Sequence, residues 1–213
     1  MHTSCNCGTG IFFLGITGGI ACGKSLVYNH FLKLGAEGIS ADDICRDLTK
    51  KGAPALYEIK NAFGKRFVLD NGELDRARLG ELVFADAAKR ECLNGIIHPK
   101  VERHILHWAE KIRAVSNAKL AVLEIPLLFE TGSYSWLDGV LVVCASRETS
   151  LHRMQNRDNI TEEECIRRYN AQFPLEDKRK HADWVVYNDG AKETAEASVK
   201  KIYESIKPQR SLL

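Results

Sequence analysis

The sequence predicts an α/β fold, a five-stranded parallel sheet flanked by helices. Three observations carry that prediction. Residues 11–16, 120–125 and 140–143 are continuous apolar runs without polar alternation, which reads as strands covered on both faces. Each run leads through a short turn into a helical pattern, the rhythm that builds parallel sheets. The first run also enters Gly18-Gly19-Ile20-Ala21-Cys22-Gly23-Lys24-Ser25, which is G-x-x-x-x-G-K-[ST] in the strand-to-helix setting that motif requires.

Taken in order, residues 1–10 are small and polar and read as a loose extension. The first strand spans 11–16, and the helix after the glycine-rich loop ends near Leu34-Gly35, where Gly is a good terminator. Residues 36–40 make a weak second strand. Ser40-Ala41-Asp42-Asp43 then opens a helix as a capping box, an oxygen side chain followed three residues on by an acid.

The middle third, 53–116, changes character. Gly64 and the Asp70-Asn71-Gly72 turn break it, no strand pattern appears, and the remainder reads as short helices with Asp75 and Asp86 as N-caps. Val101, Ile105, Trp108, Ala109 and Ile112 form an amphipathic stripe. This third is a helical insertion between the second and third strands.

Alternation resumes with the strands at 120–125 and 140–143, separated by Pro126-Leu127-Leu128-Phe129-Glu130. An Arg-rich helical segment, 147–170, follows, with Thr161 to Glu164 as a second capping box. Residues 184–187 are a last short strand ending in Asn188-Asp189-Gly190, and 191–206 form a closing helix. In such a fold ligands bind at the carboxyl ends of the strands.

The 213 residues suit one α/β domain with insertions, or a core with one small satellite. Hydrophobic residues make up 45% and charged residues 27%, ordinary for a globular chain with a real core. Lys and Arg number 30 against 28 Asp and Glu, a net +2 that is too near neutral to argue for nucleic acid or an anionic membrane. No apolar run approaches a bilayer span and no signal peptide is recognisable, so a cytoplasmic location is expected. Seven scattered cysteines read as reduced thiols, since the C-x-C of Cys5 and Cys7 lacks the second pair of a zinc site. His104 and His107 lie three apart with nothing nearby to complete a metal site, and read as surface.

The chemistry begins in the glycine-rich loop. Glycines let successive N–H groups turn inward as an anion nest, and the new helix adds its positive end. Lys24 reaches the β- and γ-phosphates, and the Ser25 hydroxyl ligates Mg²⁺. The chain is therefore expected to bind a nucleoside triphosphate. Neither N-K-x-D nor D-x-x-G is present, which argues against a Ras-type GTPase. Asp42, just past the second strand, stands where small-molecule kinases keep the group that takes the acceptor hydroxyl's proton, but Asp43 fits a first-turn helix acid equally well. Arg147, Arg153, Arg157, Arg167 and Arg168 crowd one segment, with Arg153 and Arg157 on one helix face. A lid that lends arginines to a transferring phosphoryl group explains them, and a solvated basic face paired with Glu162 to Glu164 is the alternative. Cys22 beside a helix N-terminus invites a redox reading, but a small filler is the simpler one.

Further segments, spread from about 11 to 206, carry a family pattern. The carrying segments are Gly15-Ile16-Thr17-Gly18-Gly19-Ile20, Ala41-Asp42 with Arg46, Gly72-Glu73-Leu74-Asp75-Arg76, and Leu93-Asn94-Gly95-Ile96-Ile97-His98-Pro99. They continue with Pro126-Leu127-Leu128-Phe129-Glu130, Arg153, Arg157 and Asn188-Asp189-Gly190. With these segments the chain resembles the dephospho-CoA kinase family, whose members catalyse the last step of coenzyme A synthesis. The resemblance implies a P-loop kinase fold: a nucleotide-binding core of 1–52, 117–146 and 171–213, a helical acceptor domain of 53–116 and a lid of 147–170. It implies ATP, Mg²⁺ and dephospho-CoA as the small molecules bound, and a monomer or weak homo-oligomer. It assigns Asp42 as the catalytic aspartate that takes the acceptor's proton, with Lys24, Arg153 and Arg157 acting on the phosphates. Asp42, Arg46, Arg76, His98, Phe129 and Glu130 would face the acceptor. Gly18 through Leu26, with Asn188 and Gly190, would surround ATP.

Three departures stand out. The family's D-A-D reads Ser40-Ala41-Asp42 here, its phosphate loop reads Ala21-Cys22-Gly23-Lys24-Ser25-Leu26, and Glu124 replaces the usual Asp at the end of the third strand. Glu124 would hold Mg²⁺ through water. Competing readings are a nucleoside or nucleotide kinase, distinguished by its acceptor, and a slow regulatory nucleotide switch, distinguished by lack of acceptor-dependent turnover.

Overall fold

The structure is a computed structural model describing residues 10–132 and 135–206. Cys5 and Cys7, and all of the N-terminal extension except Gly10, lie outside the described residues. Strand β1 is Phe12–Gly18, followed by helix α1, Lys24–Lys33, and β2, Glu37–Ser40. Helices α2, Ala41–Leu48, α3, Pro54–Phe63, α4, Arg76–Ala85, and α5, Ala87–Val115, come next, with a 3₁₀ turn at Lys65–Phe67. Then come β3, Leu120–Glu124, α6, Leu128–Thr131, and β4, Gly139–Cys144. The chain continues through α7, Arg147–Asp158, α8, Glu162–Asn170, α9, Leu175–Lys180, β5, Trp184–Tyr187, and α10, Lys192–Ile206.

The sheet is parallel, as expected, in the order β2-β3-β1-β4-β5. Central β1 pairs with β3 on one side, Ile16 opposite Glu124, and with β4 on the other, Gly15 opposite Val140. Its Phe13, Leu14 and Ile16 are almost wholly buried, as a strand covered on both faces demands. Val27 and Phe31 of α1, and Ala195, Val199 and Ile202 of α10, pack in one cluster with Leu14, Ile16, Val122, Leu141 and Val186 of the sheet. The register sets the ends of β1, β3 and β4 side by side, where the phosphate loop, Glu124 and Cys144 sit.

Two compact units emerge, one of residues up to Ile39 and from Arg113 onward, the other Ser40–Ile112. In the second unit Leu56, Ile59, Phe67, Leu79, Ile97, Val101 and Ile105 are buried. The expected N-caps form here: Asp75 accepts from the Arg78 amide at 3.0 Å and Asp86 from the Lys89 amide at 3.1 Å.

Two features of this unit depart from expectation. The predicted succession of short helices is, after α4, one helix of 29 residues that runs through Pro99. Proline removes the backbone donor that would reach the Gly95 carbonyl and crowds that turn, yet the apolar face continues on either side of it, with Ile97, Val101 and Ile105 buried. A lone antiparallel bridge, Val68 to Leu74, closes around the Asp70-Asn71-Gly72 turn where no strand pairing was anticipated.

Candidate active site

In the first unit, the loop between β1 and α1 is tight because its glycines leave no room for side chains. A Cβ on Gly18 would stand 2.2 Å from the Val143 carbonyl oxygen. Gly23, at φ 91°, caps α1 in the left-handed region, and a Cβ there would strike the Asn188 amide nitrogen at 2.1 Å. No side chain caps α1 and its first turn carries no acid, so nothing on the helix competes with an incoming anion for its positive end. The Lys24 ammonium folds back over the loop and donates to the Gly19 carbonyl at 2.9 Å.

Ser25, one residue into α1, donates its hydroxyl to Glu124 Oε1 at 2.7 Å. Glu124 is 5% exposed at the end of β3, and the pairing follows from the β1–β3 register. A hydroxyl and a carboxylate brought together are hard oxygen donors of the kind Mg²⁺ takes while keeping water and phosphate oxygens in its other positions. These two residues fit the ion.

Asn188 is buried just past β5 and holds the loop itself, its Nδ2 donating to the Cys22 carbonyl at 2.9 Å. Gly190, two residues on, is exposed with open space where a Cβ would stand. Cys22 is wholly buried, and that burial pushes its thiol above the usual range despite nearby Lys24. This is the environment of an inert filler rather than a reactive thiol. All described cysteines are free.

The arginines of α7 and α8 divide. Arg157 donates to both carboxylate oxygens of Asp158 at 2.7 and 3.0 Å. Arg168 lies 3.6 Å from the same Asp158 and 2.8 Å from Glu164, and Arg167 also pairs with Glu164. Arg147 sits over the Tyr169 ring. Arg153 differs: its Nη1 is buried and has no hydrogen-bond partner among the described residues. That nitrogen lies 3.9 Å from where a Gly23 Cβ would stand, beside the phosphate loop. A buried donor left open at an anion nest is waiting for an acceptor.

The Pro126 to Glu130 segment ends in α6. The Phe129 ring lies 5.9 Å from the His181 ring, and Glu130 pairs with Lys178 at 2.8 Å.

In the second unit Ser40 caps α2, accepting from the Asp43 amide. Asp43 accepts from Arg46 Nη1 at 2.7 Å, whereas the Asp42 carboxylate, also exposed, has no hydrogen bond or ion pair among the described residues. Arg76, the first residue of α4, donates from Nη2 to the Thr49 hydroxyl at 2.6 Å and to the Arg46 carbonyl at 3.3 Å. Arg46 and Arg76 thereby line one cleft of about 160 Å³ with Thr49, Lys50, Glu73 and Leu74. His98 is half-buried on α5, and burial lowers its pKa, so it is a neutral imidazole at neutral pH. His104 and His107 are exposed on the same helix.

The family model for dephospho-CoA kinase matches residues 12–194. The chain belongs to the dephospho-CoA kinase family. A dephospho-CoA kinase from Geobacillus kaustophilus is 45% identical over 181 residues, 84% of this chain and 89% of its relative. The crystal structure of TT1252 from Thermus thermophilus superposes with a TM-score of 0.74 at 34% identity, covering 92% of this chain and 98% of the other. A dephospho-CoA kinase from Campylobacter jejuni superposes with a TM-score of 0.66 at 31% identity, covering 91% and 96%. The chain is thus a kinase of the P-loop fold.

Several contacts around this family's fold had no signal in the sequence. Gln172, between α8 and α9, accepts from the Ile20 amide of the phosphate loop at 2.7 Å. Asp158 as the counter-charge of the arginines, Thr49 as the support of Arg76 and Lys178 as the partner of Glu130 were likewise unforeseen. A residue three or four positions from its partner, as Glu164 is from Arg168, is legible on a helix; Thr49 and Arg76, 27 positions apart, and Ile20 and Gln172, 152 apart, are not.

Proposed function

We propose that this chain transfers the γ-phosphoryl group of ATP to the ribose 3′-hydroxyl of dephospho-CoA, releasing ADP and coenzyme A. The observation that carries the reading is the pairing of an uncapped, acid-free α1 N-terminus with an unpartnered buried Arg153 nitrogen. Both ask for a phosphate at one place.

The amides of the loop from Gly18 to Leu26 cradle the triphosphate, and Asn188 keeps the loop's shape through Cys22. Lys24 leaves the Gly19 carbonyl for the phosphates, and Arg153 completes its hydrogen bonds on the transferring group. Arg157 joins it by exchanging Asp158 for phosphate. Ser25 and Glu124 would hold Mg²⁺, which neutralises charge on the β- and γ-phosphates.

Asp42 accepts the proton of the 3′-hydroxyl as the new oxygen–phosphorus bond forms and the β–γ bridging bond breaks. Arg46 and Arg76 offer planar donors suited to the acceptor's own phosphates. Neutral His98, Phe129 and Glu130 complete the acceptor contacts. In this reading residues 147–170 act as the lid, 53–116 receive the acceptor, and the enzyme works as a cytoplasmic monomer or weak oligomer without nucleic acid or membrane. No helix among the described residues is long and apolar enough to cross a membrane.

The test is ADP release with Mg²⁺-ATP and dephospho-CoA, AMP, adenosine or pantothenate as acceptor. Turnover with dephospho-CoA above the other three is expected. Preference for AMP or adenosine would make the chain a nucleotide or nucleoside kinase, and acceptor-independent, near-stoichiometric ADP would make it a switch.

A further inference from the structure

Lys178 is the one lysine among the described residues with no exposed surface, and it lies on α9, a segment that the reaction outlined above does not use. Its Nζ donates to Glu130 Oε1 at 2.8 Å and to the Pro126 carbonyl at 3.4 Å. The same carbonyl accepts from the Thr17 hydroxyl at 3.2 Å, one residue before the phosphate loop. One ammonium therefore ties down both ends of the Pro126 to Glu130 segment at the mouth of β1 and β3.

The rest of the strap around Lys178 reaches the nucleotide side. Gln172 accepts from the Ile20 amide, and the Leu175 side chain lies 3.8 Å from where a Cβ on Gly19 would stand. A buried cation is expensive, and an apolar residue of similar volume serves stability as well or better. A buried lysine that engages both Glu130 and the Pro126 carbonyl therefore points to orientation rather than to stability alone.

We infer that Lys178 is a positioning residue for phosphoryl transfer, fixing Glu130 and the Pro126 carbonyl so that the Pro126 to Glu130 segment presents itself to the acceptor. The inference rests on the reading of Glu130 as an acceptor contact. Lys178 touches neither substrate. Its effect travels through Glu130, so the two residues are coupled and the consequence falls on dephospho-CoA rather than on ATP.

The experiment is a double-mutant cycle with Lys178→Met and Glu130→Gln in the full chain, with Lys178→Arg as the conservative variant. KM and kcat are measured separately for both substrates. Each single variant should lower kcat/KM for dephospho-CoA by about tenfold to a hundredfold, the scale of a misplaced contact, with KM for ATP changed by less than about twofold. The double variant should be no worse than the poorer single one, and Lys178→Arg should recover most of the loss.

Additive losses, or Lys178→Met with reduced melting temperature and parental kinetics beside an impaired Glu130→Gln, would overturn the inference alone. An unimpaired Glu130→Gln would remove Glu130 from the acceptor site and take the inference with it. Should Lys178→Met fail to fold, Lys178→Gln, which keeps a donor without the charge, is read by the same outcomes.

Discussion

Asp42 and Asp43 begin the same helix, and both favour its positive end, so helix stability does not separate them. Their partners do. Adjacent helical positions point about 100° apart, and Asp43 is engaged by Arg46 at 2.7 Å while Asp42 is left open. Asp42→Asn keeps the size of the side chain but cannot take a proton. It should preserve fold and ATP binding while kcat falls roughly a hundredfold or more, the range of a lost general base. Asp43→Asn breaks only an exposed pair, of the kind worth under about 1 kcal/mol, and should stay within a fewfold of the parent. Steady-state rates at saturating ATP and dephospho-CoA decide; a dead Asp43→Asn beside an active Asp42→Asn would reverse the assignment. The same logic of the open partner applies to Arg153, whose unsatisfied Nη1 is beside Gly23. Arg153→Ala should lower kcat more than it raises KM for dephospho-CoA, and a raised KM with kcat unchanged would instead mark it as a contact made equally in the ground state.

At the scale of elements, α7 and α8 are joined through Asp158, which receives both Arg157 and Arg168. Hydrogen bonding from Arg157 lowers the Asp158 pKa first of all, with the charges of Arg157 and Arg168 adding to it. A carboxylate whose folded pKa is depressed contributes stability that is fully present above its unfolded value, about 3.9, and is lost as pH falls through the folded one. Thermal unfolding from pH 6 down to 3 should therefore show a component of acid destabilisation that Asp158→Asn lacks. Because the pair is open to solvent it should amount to less than about 1 kcal/mol, or a few degrees at most. Identical slopes for the two proteins would count against the clamp.

What was legible in the sequence at this scale was whatever is local. The phosphate loop, the Thr161 and Asp75 caps and the apolar strands are each contained within a few residues, and each appears where the pattern put it. The middle third reads as short helices, yet α5 runs on through Pro99 because its apolar face, Ile97, Val101, Ile105, Ala109 and Ile112, stays buried on both sides of it. Arg153 and Arg157 share a helix face, and of the two Asp158 takes up the charge of Arg157 alone. The pairings that close the site are not legible from local pattern because their partners are remote; Asn188 and Glu124 entered only through the family resemblance, and Gln172 not at all. Asn188 meets Cys22 across 166 positions, Gln172 meets Ile20 across 152, and Ser25 meets Glu124 across 99. Only the sheet order, β3 and β4 on either side of β1, brings them together.

At the scale of the whole molecule, the residues assigned to the two substrates fall largely in different compact units. The phosphate loop, Asn188 and Arg153 belong to the unit built on the sheet; Asp42, Arg46, Arg76 and His98 belong to Ser40–Ile112. If each unit carries its own ligand chemistry, each substrate should protect its own amides from hydrogen exchange. ATP alone should slow exchange at 19–26, where the loop amides take the phosphates. Dephospho-CoA alone should slow it at 46–50 and 73–79, around the cleft lined by Arg46, Thr49, Lys50, Glu73, Leu74 and Arg76. Lys24→Ala should lose the first protection and keep the second. Binding at a hundred times Kd adds about 2.7 kcal/mol to the folded state, enough to be read independently as a rise in melting temperature for each ligand. Protection of 19–26 by dephospho-CoA alone, with 46–50 and 73–79 unchanged, would move the acceptor out of the helical unit and leave Arg46 and Arg76 as structural cations held by Asp43 and Thr49.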